Sequence, residues 1–199
     1  MKEQKNASVP GISGWKKELL EWIKVLLSAV AIALFLNTCI ISNTRVPSDS
    51  MENTIMTGDR LLGSRLSYRF GAGPKRGDIV IFKHKVEPGT DQTRLVKRVI
   101  GLPGETVDIR DNQVYIDGSD TPLDEPYLAE PMESRDYHFE VPEGCYLMLG
   151  DNRNDSADAR MWPDPYVPRE AISAKVLFRY YPSFGRIASK QTLAGFAEI

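Results

Sequence analysis

Seventeen residues from Val25 to Ile41, VLLSAVAIALFLNTCII, carry no charge. A transmembrane helix needs about 17–25 predominantly apolar residues, and Leu19, Leu20, Trp22 and Ile23 lengthen the run toward the N-terminus, with Glu21 and Lys24 near enough to the interface to snorkel. The expected span is therefore 19–41, with Trp15 and Trp22 suited to the interfacial aromatic belt. Lys2, Lys5, Lys16, Lys17 and Lys24 flank its N-terminal side, whereas the other side offers Arg45 and then the acidic Asp49. The positive-inside rule then makes residues 1–18 a cytoplasmic tail, its first dozen residues disordered, and puts residues 42–199 outside the cell.

Two other readings of the run are weaker. A cleavable signal peptide needs a small A-x-A-like site after its apolar core, and NTCIISNTRVP offers none. Leu36-Asn37-Thr38-Cys39 resembles a lipoprotein cleavage box, but with Asn and Thr where small residues are wanted. A buried helix of a soluble protein is not normally apolar all round over this length. The run reads as an uncleaved, single-pass anchor in a lipid bilayer.

Beyond the anchor the pattern changes. Every proline except Pro10 lies after residue 46, and proline interrupts helix interiors. Short apolar or alternating runs bounded by turn residues take over, the signature of strands. They are 78–83 (DIVIFK), 94–101 (RLVKRVIG), 105–110 (ETVDIR), 113–118 (QVYIDG), 145–150 (CYLMLG) and 174–181 (AKVLFRYY). The clearest hairpin signal is Arg110-Asp111-Asn112. The fold class expected is mainly β: one N-terminal transmembrane helix followed by folded antiparallel sheets or a partly open barrel of about 155 residues.

Composition removes several functions. A net charge of −2 with 26% charged residues does not suit a nucleic-acid binder. Cys39 and Cys145 are too few for a disulfide framework, and Cys39 lies inside the apolar run. His84 and His138 leave little for a zinc site. No metal and no cofactor is expected.

The stretch VPSDSMENTIMTGDRLL, residues 46–62, follows the anchor and holds Ser48 and Ser50. Only eight residues separate Ile41 from Ser50, a reach of at most about 30 Å. A hydroxyl nucleophile needs a base. Counting alone leaves a Ser-His pair open, but both histidines have solvated neighbours in sequence. Lys97 is the better candidate. In a strand, Leu95, Lys97 and Val99 share one face and Val96, Arg98 and Ile100 the other, so Lys97 projects between apolar neighbours. An ordinary lysine titrates near 10.4, and burial can lower this by up to about 3–5 units. A shift of about 2 units raises the neutral fraction about a hundredfold. An ordinary edge-strand lysine fits the same pattern.

At this point the residues carry a resemblance. P-S-D-S-M-E-N-T-I, G-D-R-L-L, R-G-D-I-V-I-F, V-K-R-V-I-G-L-P-G-E and G-D-N-R-N-D-S-A-D-A-R-M-W follow one anchor in this order. Together they resemble the boxes of bacterial type I signal peptidases, Ser-Lys endopeptidases that remove signal peptides from exported proteins. The likeness runs from the anchor to about residue 182, and the single anchor and short spacing are similar to Gram-positive members. The resemblance implies Ser50 as nucleophile and Lys97 as general base. It implies an oxyanion hole made by the Ser48 hydroxyl and the Ser50 backbone N–H; two such donors are worth several kcal/mol in a water-poor site. Ser156 corresponds to a residue hydrogen-bonded to the lysine, and Asp158 and Arg160 to a supporting ion pair. Val46, Met51, Ile55, Leu95 and Val96 match positions lining the substrate pockets, although most could equally be core. Arg76-Gly77-Asp78 and Gly101-Leu102-Pro103-Gly104 read as turns that fix strand ends.

The same resemblance implies partners and place: signal peptides of exported preproteins with Ala-x-Ala-like sites, added as an extended strand, and a monomer in the bacterial plasma membrane near the export channel. The acidic loop is a poor calcium site, because Arg153 stands at a third-position ligand and Ser156 where glycine is needed. Three positions depart from the pattern: Asp49 for a frequent glycine, Asn53 for the usual proline, and Ala159 for a frequent serine. Asn53 is expected to loosen the turn after Ser50. Rival readings are a self-cleaving repressor-type Ser-Lys peptidase, disfavoured by the anchor, and an inactive, membrane-anchored signal-peptide-binding relative, disfavoured by Ser50 and Lys97.

Overall fold

A computed structural model describes residues 12–69, 71 and 73–187 of the chain. Of the dozen residues expected to be disordered, 1–11 lie outside that description, as do the last twelve residues of the chain, and Ile12 is helical. Two compact units divide at Cys39 and Ile40.

The first unit is helical. Helix α1 spans Ile12–Phe35 and passes into a π-helical turn, Leu36–Ile40. The helix thus begins inside the segment expected as a tail and ends before the expected limit of the span. The physical reason is that Lys16, Lys17, Glu18 and Glu21 are good helix formers; charge marks where an apolar run stops, not where a helix does. Residues 14–40 are long and apolar enough to cross a membrane by length and composition. Leu26, Leu34 and Trp22 are exposed.

The second unit is built from antiparallel strands. These are β1 (Ile41–Arg45), β2 (Arg60–Ser64), β3 (Ile79–His84), β4 (Thr93–Gly101), β5 (Thr106–Arg110), β6 (Gln113–Ile116), β7 (Tyr137–Glu140), β8 (Cys145–Leu149), β9 (Tyr166–Pro168), β10 (Ile172–Tyr181) and β11 (Gly185–Arg186). The larger sheet runs β1-β2-β10-β3-β4-β8-β9, with β11 paired to β10, and the smaller runs β6-β5-β7. Among the described residues this is a folded antiparallel arrangement, as the sequence predicts. All six expected strands are present, although β6 stops at Ile116 rather than 118.

Local chemistry explains the clearest elements. In β5, Val107 and Ile109 are buried and their neighbours only half-buried, a period-two pattern. The hairpin to β6 closes through Asp111 and Asn112, both with positive φ (51° and 59°), beside the Arg110–Gln113 pair. That is the primed turn geometry that Asp and Asn tolerate. Strand β3 is buried from Ile79 through Phe82 because it lies between β10 and β4. A large core cluster includes Val80, Phe82, Val99, Ile100, Leu147, Met148 and Trp162. A second gathers Val46, Met51, Ile55, Leu61, Ile79, Ile81, Ala174 and Val176.

One expectation about strand faces holds only partway. Leu95 packs on the large cluster and Val96 on the second, as alternation requires, but Val99 and Ile100 both enter the large cluster. The register shift between Val99 and Gly101 opposite β8 accounts for this, because a bulge re-aims the side chains that follow it.

Candidate active site

The segment carrying Ser48 and Ser50 joins β1 to β2 and is closed at its base by backbone bonds from Val46 N–H to the Asp59 carbonyl and from Gly58 N–H to the Val46 carbonyl, each 2.9 Å. Within it a helical turn forms, with Ile55 N–H donating to the Met51 carbonyl at 2.8 Å. Met51 and Ile55 anchor that turn in the second core cluster. Ser50 is thereby held at the protein surface with only 9% of its area exposed. Its hydroxyl lies 3.3 Å from that of Ser48.

Asn53 takes φ 72° in this turn. The left-handed region is open to asparagine and closed to proline, which locks φ near −65°. Asn53 therefore defines a particular turn rather than loosening one. Ala159, 2% exposed, packs its methyl in the large cluster, where a serine hydroxyl would need a partner. Asp49 is exposed, and its carbonyl accepts from Glu52 N–H at 2.7 Å.

Lys97 stands in β4, 2% exposed. Its ammonium donates to Ser156 Oγ at 2.8 Å; among the described residues no hydrogen bond joins it to Ser50. Burial is the largest influence on this amine and lowers its pKa from 10.5 to about 8. The carboxylates of Asp158, Asp151 and Asp49 oppose that shift, and the Arg160 guanidinium adds to it. Roughly a tenth of a lysine with that pKa is neutral at pH 7, against well under a thousandth for an ordinary one.

The loop after β8 brings these pieces together. Gly150 N–H donates to Asp158 Oδ2 at 3.0 Å, and Asp158, fully buried, is gripped by Arg160 through Nε–Oδ1 and Nη2–Oδ2 contacts of 2.8 Å. A Cβ on Gly150 would collide with both the Ser50 carbonyl oxygen and the Ser156 hydroxyl. The segment bearing Ser50 and the hydrogen-bond partner of Lys97 are thus packed against one Cα. Asn152 N–H donates to the Ser50 carbonyl at 3.2 Å, and Thr54 Oγ1 donates to Asp151 Oδ2 at 2.6 Å.

Sequence reasoning passed over several residues that hold this arrangement. Arg98, 1% exposed, donates to Asp151 through Nε–Oδ1 at 2.7 Å and Nη2–Oδ2 at 2.5 Å, and to the Gly77 carbonyl at 2.8 Å. The neighbour of Lys97 is thereby tied to the neighbour of Gly150. The available signal was a charge directly after the lysine, in the apolar half of the strand, residues 95–100. Arg153, read only as a poor calcium ligand, is 4% exposed and donates through Nε to the Gly150 carbonyl at 3.0 Å.

Of the proposed pocket residues, Val46, Met51 and Ile55 are buried in the second cluster, Val96 packs on its edge, and Leu95 packs on the large cluster. The five do not share one surface; half-buried Leu95 and Val96 are the more accessible. The histidines have other partners. His84 is buried rather than solvated, 4.4 Å from the Trp162 ring and 2.9 Å from the Asp164 carbonyl. His138 is exposed and pairs with Asp108 at 2.5 Å, which raises its pKa above 6.5. Neither contacts Ser50. Among the described residues no group of three His, Cys, Asp or Glu side chains converges as metal ligands would.

Comparison with known proteins gives this geometry its setting. The family model described as signal peptidase, peptidase S26, matches residues 19–181, and the chain belongs to that family. It is 39% identical to signal peptidase I of Leptolyngbya laminosa over 82% of this chain and 80% of that one. It is 33% identical to signal peptidase I S of Bacillus subtilis strain 168, over 84% and 91%. A crystal structure of a signal peptidase I from Enterococcus faecalis V583 matches at 36% identity and TM-score 0.43, over 52% of this chain and 97% of that one. The chain is a peptidase of the signal peptidase I kind.

Proposed function

We propose that the chain is a membrane-anchored serine endopeptidase that removes signal peptides from exported preproteins after Ala-x-Ala-like sites, with Ser50 as nucleophile and Lys97 as general base. The observation that carries this reading is the buried Lys97 amine, aimed by Ser156 and packed through Gly150 against the segment that bears Ser50. A buried amine with a pKa near 8 has a neutral form available as base.

In the reaction, the substrate lies extended beside β4 at Leu95 and Val96 and presents its scissile carbonyl to Ser50. As Ser50 Oγ bonds to the carbonyl carbon, its proton passes to Lys97 Nζ. The developing oxyanion accepts hydrogen bonds from the Ser48 hydroxyl and the Ser50 backbone N–H. The Lys97 ammonium then protonates the departing amine, leaving the signal peptide as an ester on Ser50. Water, activated by the regenerated amine, attacks that ester and frees Ser50. Lys97 Nζ and Ser50 Oγ come within hydrogen-bond reach when substrate binds, with Ser156 still orienting the amine.

Helix α1 anchors the enzyme. Its exposed apolar side chains need hydrocarbon around them, and the lysine-rich flank favours a cytoplasmic N-terminal tail, residues 1–18, at a bacterial plasma membrane with the β-rich unit outside. The test is cleavage of a preprotein bearing an Ala-x-Ala site by the full-length chain in phospholipid. Cleavage after that site, lost in Ser50→Ala and Lys97→Met variants that remain folded, is expected. A wild type that binds the preprotein without cutting it marks the inactive relative instead.

A further inference from the structure

Residues 123–134, LDEPYLAEPMES, leave the small sheet and return to it. Leu123 N–H is bonded to the Val114 carbonyl on β6 at 2.7 Å, and Ser134 N–H to Asn112 Oδ1 at 3.0 Å. Between those ties the segment grips the loop after β8. The Glu125 carboxylate accepts from Arg153 Nη1 at 2.8 Å and Nη2 at 2.6 Å, with the arginine side chain 1% exposed. Asn154 donates to Glu130 Oε1 and to the Pro131 carbonyl, and it accepts from Glu133 N–H.

A second grip falls on the strand that carries the base. The Tyr127 ring lies 3.8 Å from the guanidinium carbon of Arg98, the residue after Lys97. The same tyrosine donates its hydroxyl to Glu125 Oε1 at 2.5 Å. One carboxylate and one ring thus brace both halves of the site. Arg153 passes the first contact to the Gly150 carbonyl, and Arg98 passes the second to Asp151. A bidentate guanidinium–carboxylate pair fixes orientation as well as distance, and a desolvated cation over an aromatic face adds attraction. Neither Glu125 nor Tyr127 bonds to Ser50 or Lys97.

We infer that this strap positions the Ser-Lys pair, with Glu125 and Tyr127 as positioning residues that hold the Gly150 loop and the β4 strand in mutual register. The inference rests on the Ser-Lys reading above. A loosened strap lets the two halves separate and admits water to Lys97, whose charged and polar surroundings are Ser156, Asp158, Arg160, Asp151 and Asp49. Catalytic turnover falls while substrate binding, which uses neither strap residue, is kept.

The experiment measures kcat and KM against pH for full-length wild type, Tyr127→Phe, Tyr127→Leu, Glu125→Asp and Glu125→Gln in phospholipid, with thermal unfolding of each. Tyr127→Phe keeps the ring over Arg98 and is expected within about threefold of wild type in kcat. Tyr127→Leu and Glu125→Gln are expected to lower kcat about tenfold or more with KM changed less than about threefold. Their acidic limb in kcat/KM moves upward by about half a pH unit or more, a shift that loss of stability alone does not produce. Should Glu125→Gln fail to fold, the Tyr127 series decides. Folded Tyr127→Leu with wild-type kcat and an unmoved limb, or equal loss in Tyr127→Phe, overturns the inference while an active wild type leaves the Ser-Lys reading standing. A wild type that does not cleave overturns both.

Discussion

Lys97 donates to Ser156 Oγ at 2.8 Å while Ser50 pairs with Ser48 at 3.3 Å, so the Lys97 amine is aimed by a residue 59 positions further along the chain. A hydrogen bond to a charged donor contributes about 1.5–3 kcal/mol. Ser156→Ala is therefore expected to lower kcat by about one to two orders of magnitude with little change in fold, as read by steady-state cleavage and by circular dichroism. Wild-type kcat in a folded Ser156→Ala variant refutes this role.

With Lys97 as the proposed base, its acidity sets the pH dependence expected of cleavage. Below its pKa of about 8, the neutral form declines about tenfold per pH unit. The rate constant kcat/KM is expected to rise with that slope through pH 6 and 7 and to level above about 8. A flat profile from pH 6 to 9 means that another group is the base.

The same lowered pKa makes Lys97 a liability for folding. Between about 8 and 10.5 the unfolded chain binds a proton at this site that the folded chain does not, so stability rises with pH across that window. Below it the penalty is fully present. Lys97→Met removes a penalty of about 3 kcal/mol and is expected to stabilise the protein at pH 7, partly offset by the lost bond to Ser156. Denaturant midpoints measured at pH 7 and pH 10 should show the advantage shrinking as pH rises.

Arg98 and Asp151 form a buried ion pair with 1% and 0% of their side chains exposed. Removing one partner strands a buried charge, a loss of about 3–5 kcal/mol. Arg98→Met and Asp151→Leu are each expected to destabilise by that order. The double replacement Arg98→Met with Asp151→Leu should recover part of it in urea unfolding. Purely additive losses show that the pair is not coupled.

The turn after Ser50 depends on a left-handed residue at position 53. Asn53→Gly is expected to fold and cleave as wild type, because glycine adopts this φ without steric cost. Asn53→Pro should lose more than about 1 kcal/mol and most activity. A fully active proline variant shows that the segment turns by another backbone path.

Much of the protein is legible in its sequence. The uncharged run announces α1, and Val107/Ile109 alternation with Asp111-Asn112 announces the β5–β6 hairpin, because periodicity and turn chemistry act over a few residues. Ser48, Ser50, Lys97, Ser156, Asp158 and Arg160 stand out through ordered boxes, and the structure gathers them around one loop. Strand β1, Ile-Ser-Asn-Thr-Arg, carries no such local signal; its register against Arg60–Ser64 makes it a strand. Val46, Met51 and Ile55 are core rather than open pocket for a related reason, since burial depends on which distant segments arrive to cover a side chain.

What the sequence alone determined is therefore the class of fold, the anchor-like helix and the set of side chains that meet at the candidate site. Tertiary structure decided their acidity and their alignment. Lys97 is desolvated only because distant parts of the chain, among them the loop that carries Ser156, pack around it, and Arg98 is tolerable in the interior only because Asp151, 53 residues away, meets it there. Desolvation and charge pairing are properties of surroundings, and those surroundings exist only after distant parts of the chain have converged.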